Sequence, residues 1–231
     1  PMIPNPILAM AVILMTTFVL ADEAVKRPKP ERWDKAIAKF LEADAKEAPP
    51  KGAILFVGSS SIRMWDTKEW FPQLETINRG FGGSWTQDVL HHRDKIVVPY
   101  APRTIVLYEG DNDIGGGLRA EAVFGDYVKF AEAVHEKLPE TTIIFVAIKP
   151  SIKRWALWPE MKKANDFVTK RCESQPLERF LDIAPVLLGA DGKPDARFFA
   201  KDGLHLSKEG YKAWSDLLRP LLNIPSAEKS S

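Results

Sequence analysis

Apolar and polar positions along this chain alternate between two textures. Short strand-like runs, most of them dense in Ile, Val, Leu and Phe, occupy 53–57, 75–78, 104–108, 142–147 and 179–183. Between most of them lie stretches with apolar residues at helical spacing, at 87–96, 121–138 and 159–173, and a last one at 208–222 with Ser207 as its N-cap. Strands apolar on both faces and separated by helices predict a parallel sheet covered on each side. The expected architecture is α/β: a three-layer α/β/α sandwich around a five-stranded, doubly wound parallel sheet. In such sheets ligands bind beyond the carboxyl ends of the strands. Every polar motif of interest below falls just after a strand or just ahead of the last helix.

The ends of the chain read differently. Residues 7–20 are continuously apolar and are followed by Ala21 and the charged pair Asp22-Glu23. A membrane span needs about 20 such residues. The run instead has the length of a secretory h-region, with Val19-Leu20-Ala21 as its cleavage site. Residues 1–21 are therefore expected to be a signal peptide, which directs the protein to the periplasm or outside the cell; an uncleaved segment would anchor it to the membrane. Residues 22–50 read as a Pro-rich linker and an N-terminal helix with Trp33, Ile37, Phe40 and Leu41 at helical spacing, stopped by Pro49-Pro50. The main domain spans 51–224, and 225–231 is a flexible tail.

The 231 residues suit one ordinary domain, and the net charge of +1, with no basic run, gives no support to nucleic-acid binding. The one cysteine, Cys172, excludes an internal disulfide and a cysteine metal cluster, and nothing nearby suggests a reactive thiol. No metal or cofactor is implied, and the oligomeric state stays open.

Four segments carry candidate chemistry. Gly58-Ser59-Ser60-Ser61 ends the first strand. Three hydroxyls follow the glycine, but the residue two past it opens the next helix. That places Ser60 at the helix's positive end as the nucleophile candidate; an isolated Gly-Ser-Ser-Ser is otherwise an ordinary helix cap. Asn78-Arg79-Gly80-Phe81-Gly82-Gly83-Ser84 follows the second strand, and its glycines allow close backbone approach, with the Gly83 N–H best placed to meet an oxyanion. Gly110-Asp111-Asn112-Asp113 follows the third, where the neutral Asn112 amide is a second candidate donor. It is not a calcium loop, because Gly115 and Ala122 stand where ligands are needed. Nor does a Gly-Lys-Ser/Thr follow Gly115-Gly116-Gly117 to bind phosphate. Finally, Asp202-Gly203-Leu204-His205 places a carboxylate three residues before an imidazole in an irregular turn. His91, His92 and His135 sit on predicted helices as surface or partly buried side chains, and the adjacent pair lacks zinc spacing.

Taken in order, these segments resemble the blocks of the SGNH (GDSL-type) esterase and lipase superfamily over residues 50–222. The wording around the first block is similar to a bacterial branch related to platelet-activating-factor acetylhydrolases and lysophospholipase-type esterases. The resemblance implies a flavodoxin-like hydrolase fold and a catalytic triad of Ser60, His205 and Asp202. It also implies an oxyanion hole built from the N–H groups of Ser60 and Gly83 and the amide of Asn112. Ser59 and Ser84 depart from the family pattern, which has Asp at the first position and often at the second.

The expected activity is hydrolysis of small carboxylic esters, short-chain acyl or acetyl, of saccharides or lysophospholipids, through an acyl-enzyme. The rival is a non-catalytic carbohydrate-binding protein on the same fold. The stretch 149–158 follows the fourth strand on the ligand side. Trp155 and Trp158, with Phe81 and Trp85, are candidate substrate-binding aromatics that would wall a sugar ring or short acyl chain, or else simply pack the loops.

Overall fold

A computed structural model describes residues 25–224. The predicted signal segment and the tail beyond 224 lie outside the described residues. Five strands form one all-parallel sheet: β1 (Ile54–Gly58), β2 (Thr76–Gly80), β3 (Thr104–Tyr108), β4 (Thr142–Val146) and β5 (Glu178–Leu181). Their spatial order is β2-β1-β3-β4-β5. The chain therefore reverses its winding between β1 and β3, which opens a crevice at that point. Five longer helices cover the sheet: α1 (Asp34–Lys46), α2 (Thr86–Ile96), α3 (Ala120–Lys137), α4 (Trp158–Cys172) and α5 (Lys208–Leu218).

The period-two alternation of the strands sorts their side chains onto two cores. Leu55, Val57, Ile105, Leu107, Ile143 and Phe145 meet Val89 of α2, Phe130 of α3 and Met161 of α4 on one face. Ile54, Phe56, Val106, Tyr108, Ile144 and Val146 meet Trp65, Phe71 and, from α5, Trp214 and Leu218 on the other. The central strands β1, β3 and β4 are buried on both sides along nearly all their length, as their apolar runs require, while the edge strands β2 and β5 are only partly covered.

Strand register sets the height of the site. Gly58 pairs with Gly80 on one side and with Tyr108 on the other, so β1, β2 and β3 end level with one another. The three segments that follow them are delivered to one edge of the sheet. Predicted and observed elements agree within a residue or two, except at the first helix, which a tighter turn at Pro30–Trp33 precedes, and at the last. There α5 stops at Leu218, and a tighter turn carries Arg219–Leu222, because Pro220 lacks the N–H an α-helix needs.

The Pro-rich segment before α1 is docked rather than free. Arg27 pairs with Asp126, the Pro28 carbonyl accepts from Gln87 at 2.7 Å, and the Pro30 carbonyl accepts from His92 Nε2 at 3.1 Å. Arg32 and the Trp33 indole N–H both reach Asp88 Oδ2, at 2.8 and 2.9 Å. His92 is thereby buried, and burial lowers its pKa more than the Pro30 contact raises it. Among the described residues no helix is long and apolar enough to cross a membrane.

Candidate active site

The first strand must stop sharply for its following hydroxyl to project. Gly58 has φ +138°, and a β-carbon there would stand 2.1 Å from the Tyr108 carbonyl oxygen, so only glycine fits. The Ser59 N–H then donates to that same carbonyl at 3.2 Å, while the Ser59 carbonyl accepts from Ile62 and Arg63 at 3.0 Å. These bonds wind Ser60–Arg63 into one helical turn. The turn also separates the three serines. Ser59 and Ser61 are buried at 2% and 1% exposure, whereas Ser60 is partly exposed.

Ser60 Oγ lies 2.9 Å from His205 Nε2, across 145 positions of chain. His205 Nδ1 lies 2.5 Å from Asp202 Oδ2. The other Asp202 oxygen accepts the N–H groups of Leu204 and His205, each at 3.0 Å, which closes the turn and fixes the spacing of acid and imidazole. The Leu204 N–H, then the imidazole and the His205 N–H, hold the Asp202 carboxyl well below the usual carboxylate range. A carboxylate on Nδ1 selects the tautomer with its proton there and leaves Nε2 to accept from Ser60.

The donor segments border the same turn. A β-carbon at Gly82 would stand 3.6 Å from Ser60 Cβ, so this backbone passes directly beside the nucleophile candidate. Gly83 follows with φ +84°. Its carbonyl faces Arg32 Nη2 at 3.4 Å, and neither its N–H nor that of Ser60 has an acceptor among the described residues. Asn112 sits on the single helical turn Asp111–Gly115. Its Nδ2 donates to the Ser84 carbonyl at 3.0 Å, and its Oδ1 accepts from both terminal nitrogens of Arg154 at 3.2 Å. Beside Asp202, a groove of about 520 Å³ is lined by Ile152, Lys153, Phe199, Lys201 and Gly203.

A hydroxyl, imidazole and carboxylate in a hydrogen-bonded chain beside N–H groups without acceptors is an arrangement that acyl-transfer chemistry can use. A sequence model described as the GDSL-like lipase/acylhydrolase family matches residues 63–213, which takes in Asp202 and His205. The chain belongs to that family. It is a carboxylic ester hydrolase. Similar folds are found in a Streptococcus pneumonia protein provisionally named a platelet activating factor (24% identity, 93% of this chain and 99% of that one, TM-score 0.74). They recur in a GDSL-like lipase from Bacteroides thetaiotaomicron (18%, 81% and 97%, 0.69). A catalytic mutant of an acetylxylan esterase from Geobacillus stearothermophilus has the fold as well (13%, 78% and 98%, 0.63). A search of curated proteins finds no match.

The candidate aromatics of this esterase do not assemble into one wall. Phe81 and Trp85 are only 2% and 7% exposed and belong to the core under α2. Phe81 packs edge-on against Trp33, and Trp85 covers Gly116, because the close approach of the second loop to β1 turns both rings inward. Trp155 and Trp158 stack on each other at 6.3 Å. Trp158 lines a different groove, of about 530 Å³, with Lys162, Asp166, Phe180 and Asp182 at the edge formed by α4 and β5. Cys172 is half-buried, and burial pushes its thiol up to about 11, in keeping with an inert role. Among the described residues no cluster of His, Cys, Asp and Glu is placed to hold a metal ion.

Beneath the esterase site lies a set of buried charges that sequence reasoning missed. Ser84 Oγ donates to Glu109 Oε1 at 2.5 Å, so the departure from the family's acid at position 84 spares Glu109 another carboxylate neighbour. Burial and then Asp113 push the Glu109 carboxyl well up. Burial likewise pushes Asp113 up to about 7, against the N–H donation of Thr86 at 2.9 Å. For Asp111, burial opposes ionisation, but Lys149 and Arg154 hold its carboxyl below the ordinary range. The mixture of Asp, Glu, Lys and Arg in these loops was visible as composition; that the groups converge depends on the strand order.

Proposed function

We propose that this esterase hydrolyses small, soluble carboxylic esters through a Ser60–His205–Asp202 triad and a covalent acyl-enzyme. The single observation that carries this reading is the unbroken chain from Ser60 Oγ through His205, at 2.9 Å, to Asp202, at 2.5 Å. Ser60 Oγ attacks the ester carbonyl while His205 Nε2 takes its proton. Asp202 keeps Nδ1 protonated and offsets the imidazolium charge. The tetrahedral oxyanion is received by the N–H groups of Ser60 and Gly83 and by the Asn112 amide. His205 then returns the proton to the leaving alkoxide, and water hydrolyses the acyl-enzyme by the same steps in reverse.

Short acyl or acetyl esters of saccharides or lysophospholipids are the substrates we favour. The similarity to a fold that in another organism carries an acetylxylan esterase supports the saccharide class. The apolar run at 7–20 supports export to the periplasm or medium, which cell fractionation with terminal sequencing of the mature chain tests. The function itself is tested with p-nitrophenyl esters of increasing acyl length on the parent and on Ser60→Ala. Turnover of the shortest esters that disappears in the variant supports the reading; turnover that survives Ser60→Ala rejects it.

A further inference from the structure

Two of the three cations in the loop after β4, Lys149 and Arg154, meet on one carboxylate that the triad does not use. Lys149 is 1% exposed, and its Nζ donates to Asp111 Oδ2 at 2.6 Å, to the Tyr108 hydroxyl at 2.9 Å and to Ser61 Oγ at 3.4 Å. Arg154 Nη1 donates to the other Asp111 oxygen at 2.6 Å and to the Asp111 carbonyl at 2.9 Å. Gly115 clears the seat for this guanidinium, since a β-carbon there would stand 2.8 Å from Arg154 Cζ. Holding one buried and one partly buried cation on a buried carboxylate carries a desolvation cost, and well-packed apolar groups often serve stability as well. What such a network does provide is a fixed geometry.

That geometry ends on Asn112. Both terminal nitrogens of Arg154 reach its Oδ1 at 3.2 Å, while its Nδ2 donates to the Ser84 carbonyl at 3.0 Å. A guanidinium only donates and a carbonyl only accepts, so a single orientation of the amide satisfies both neighbours. A primary amide has two N–H groups, and the Ser84 carbonyl takes one. A cation on the amide oxygen also draws electron density from the nitrogen, which strengthens the remaining donor. Asp111 offsets the cation's charge before it reaches the substrate.

We infer that Arg154 is a positioning residue for the oxyanion amide: it locks and polarises Asn112 so that the second Nδ2–H is aimed at the acyl site. Lys149 and Asp111 tie this clamp to Ser61, the neighbour of the nucleophile. The inference rests on the proposed Ser60 chemistry.

The test is a double-mutant cycle on short-chain ester turnover with Arg154→Met, Asn112→Ala and the pair, alongside Ser60→Ala. Arg154→Met is expected to lower kcat about 10–100-fold with little change in KM. In the Asn112→Ala background the same substitution should cost less than about 3-fold, because the group it acts through is gone. Should Arg154→Met not fold, by circular dichroism, Arg154→Lys carries the cycle: one ammonium cannot span Asp111 and Asn112, so kcat still falls and the losses remain non-additive. Parental kcat in the folded variant, or losses that multiply in the double mutant, would overturn the inference. Activity surviving in Ser60→Ala would instead overturn the catalytic reading beneath it.

Discussion

The Trp33 indole lies against Gly83, its outer ring carbons 3.7 Å from where a β-carbon on that glycine would stand. The same indole donates to Asp88 and meets the edge of Phe81. Arg32 beside it reaches both the Gly83 carbonyl and Asp88. The segment ahead of α1 is therefore the outer wall of the loop that presents the Gly83 N–H. Trp33→Ala should lower stability by about 2–4 kcal/mol and lower kcat beyond what partial unfolding explains. Denaturant titration together with kcat measured well below the transition checks both; a stability loss with parental kcat would confine Trp33 to packing.

Asp202 serves the turn through one oxygen and the imidazole through the other. Asp202→Asn keeps an acceptor for the Leu204 and His205 N–H groups but turns an NH2 toward Nδ1. The ring then favours the tautomer whose Nε2 carries the proton, which cannot accept from Ser60. We expect turnover to fall on the order of 10³–10⁴ with an unchanged circular dichroism spectrum.

The depressed pKa of Asp202 has a kinetic signature. Its carboxylate stays ionised throughout mild acid, so Asp202 adds no acid limb of its own to a plot of log kcat/KM down to pH ~4. A slope approaching two would mean that a second group of the triad titrates in the same range.

Asp113 predicts a pH dependence of stability. In the folded protein its carboxyl titrates at about 7, against ~3.9 for an ordinary one. Below both values the two states are equally protonated and the group is neutral to stability. Between them the folded state holds the proton and the unfolded state does not, so stability from this group falls as pH rises, by roughly 1 kcal/mol per pH unit. Asp113→Asn should therefore gain on the parent between pH 5 and pH 8. Melting temperatures of both proteins at the two pH values give the answer.

Much of this molecule was legible before any coordinates. The runs at 53–57 and 104–108 were readable as strands because burial on both faces makes them almost wholly apolar. The pairing of Asp202 with His205 was readable because both lie in one short turn. Ser60 stood out by its place two residues past Gly58, and the structure adds the burial of Ser59 and Ser61. What stayed hidden depends on which loops meet. Trp33 touches Gly83, and Arg154 touches Asn112, only because β1 and β3 are neighbours flanked by β2 and β4. Phe81 and Trp85 misled for the same reason: a loop position told of access to ligand, while the approach of neighbouring segments turned the rings inward. Local spacing carried no sign of these long-range contacts.

The most direct measurement is covalent labelling of the intact protein with a small organophosphonate ester, followed by peptide mass spectrometry. One adduct per chain is expected, on Ser60, formed in step with loss of esterase activity and suppressed in His205→Ala. An adduct on Ser59 or Ser61, or full inactivation with Ser60 unmodified, would contradict it.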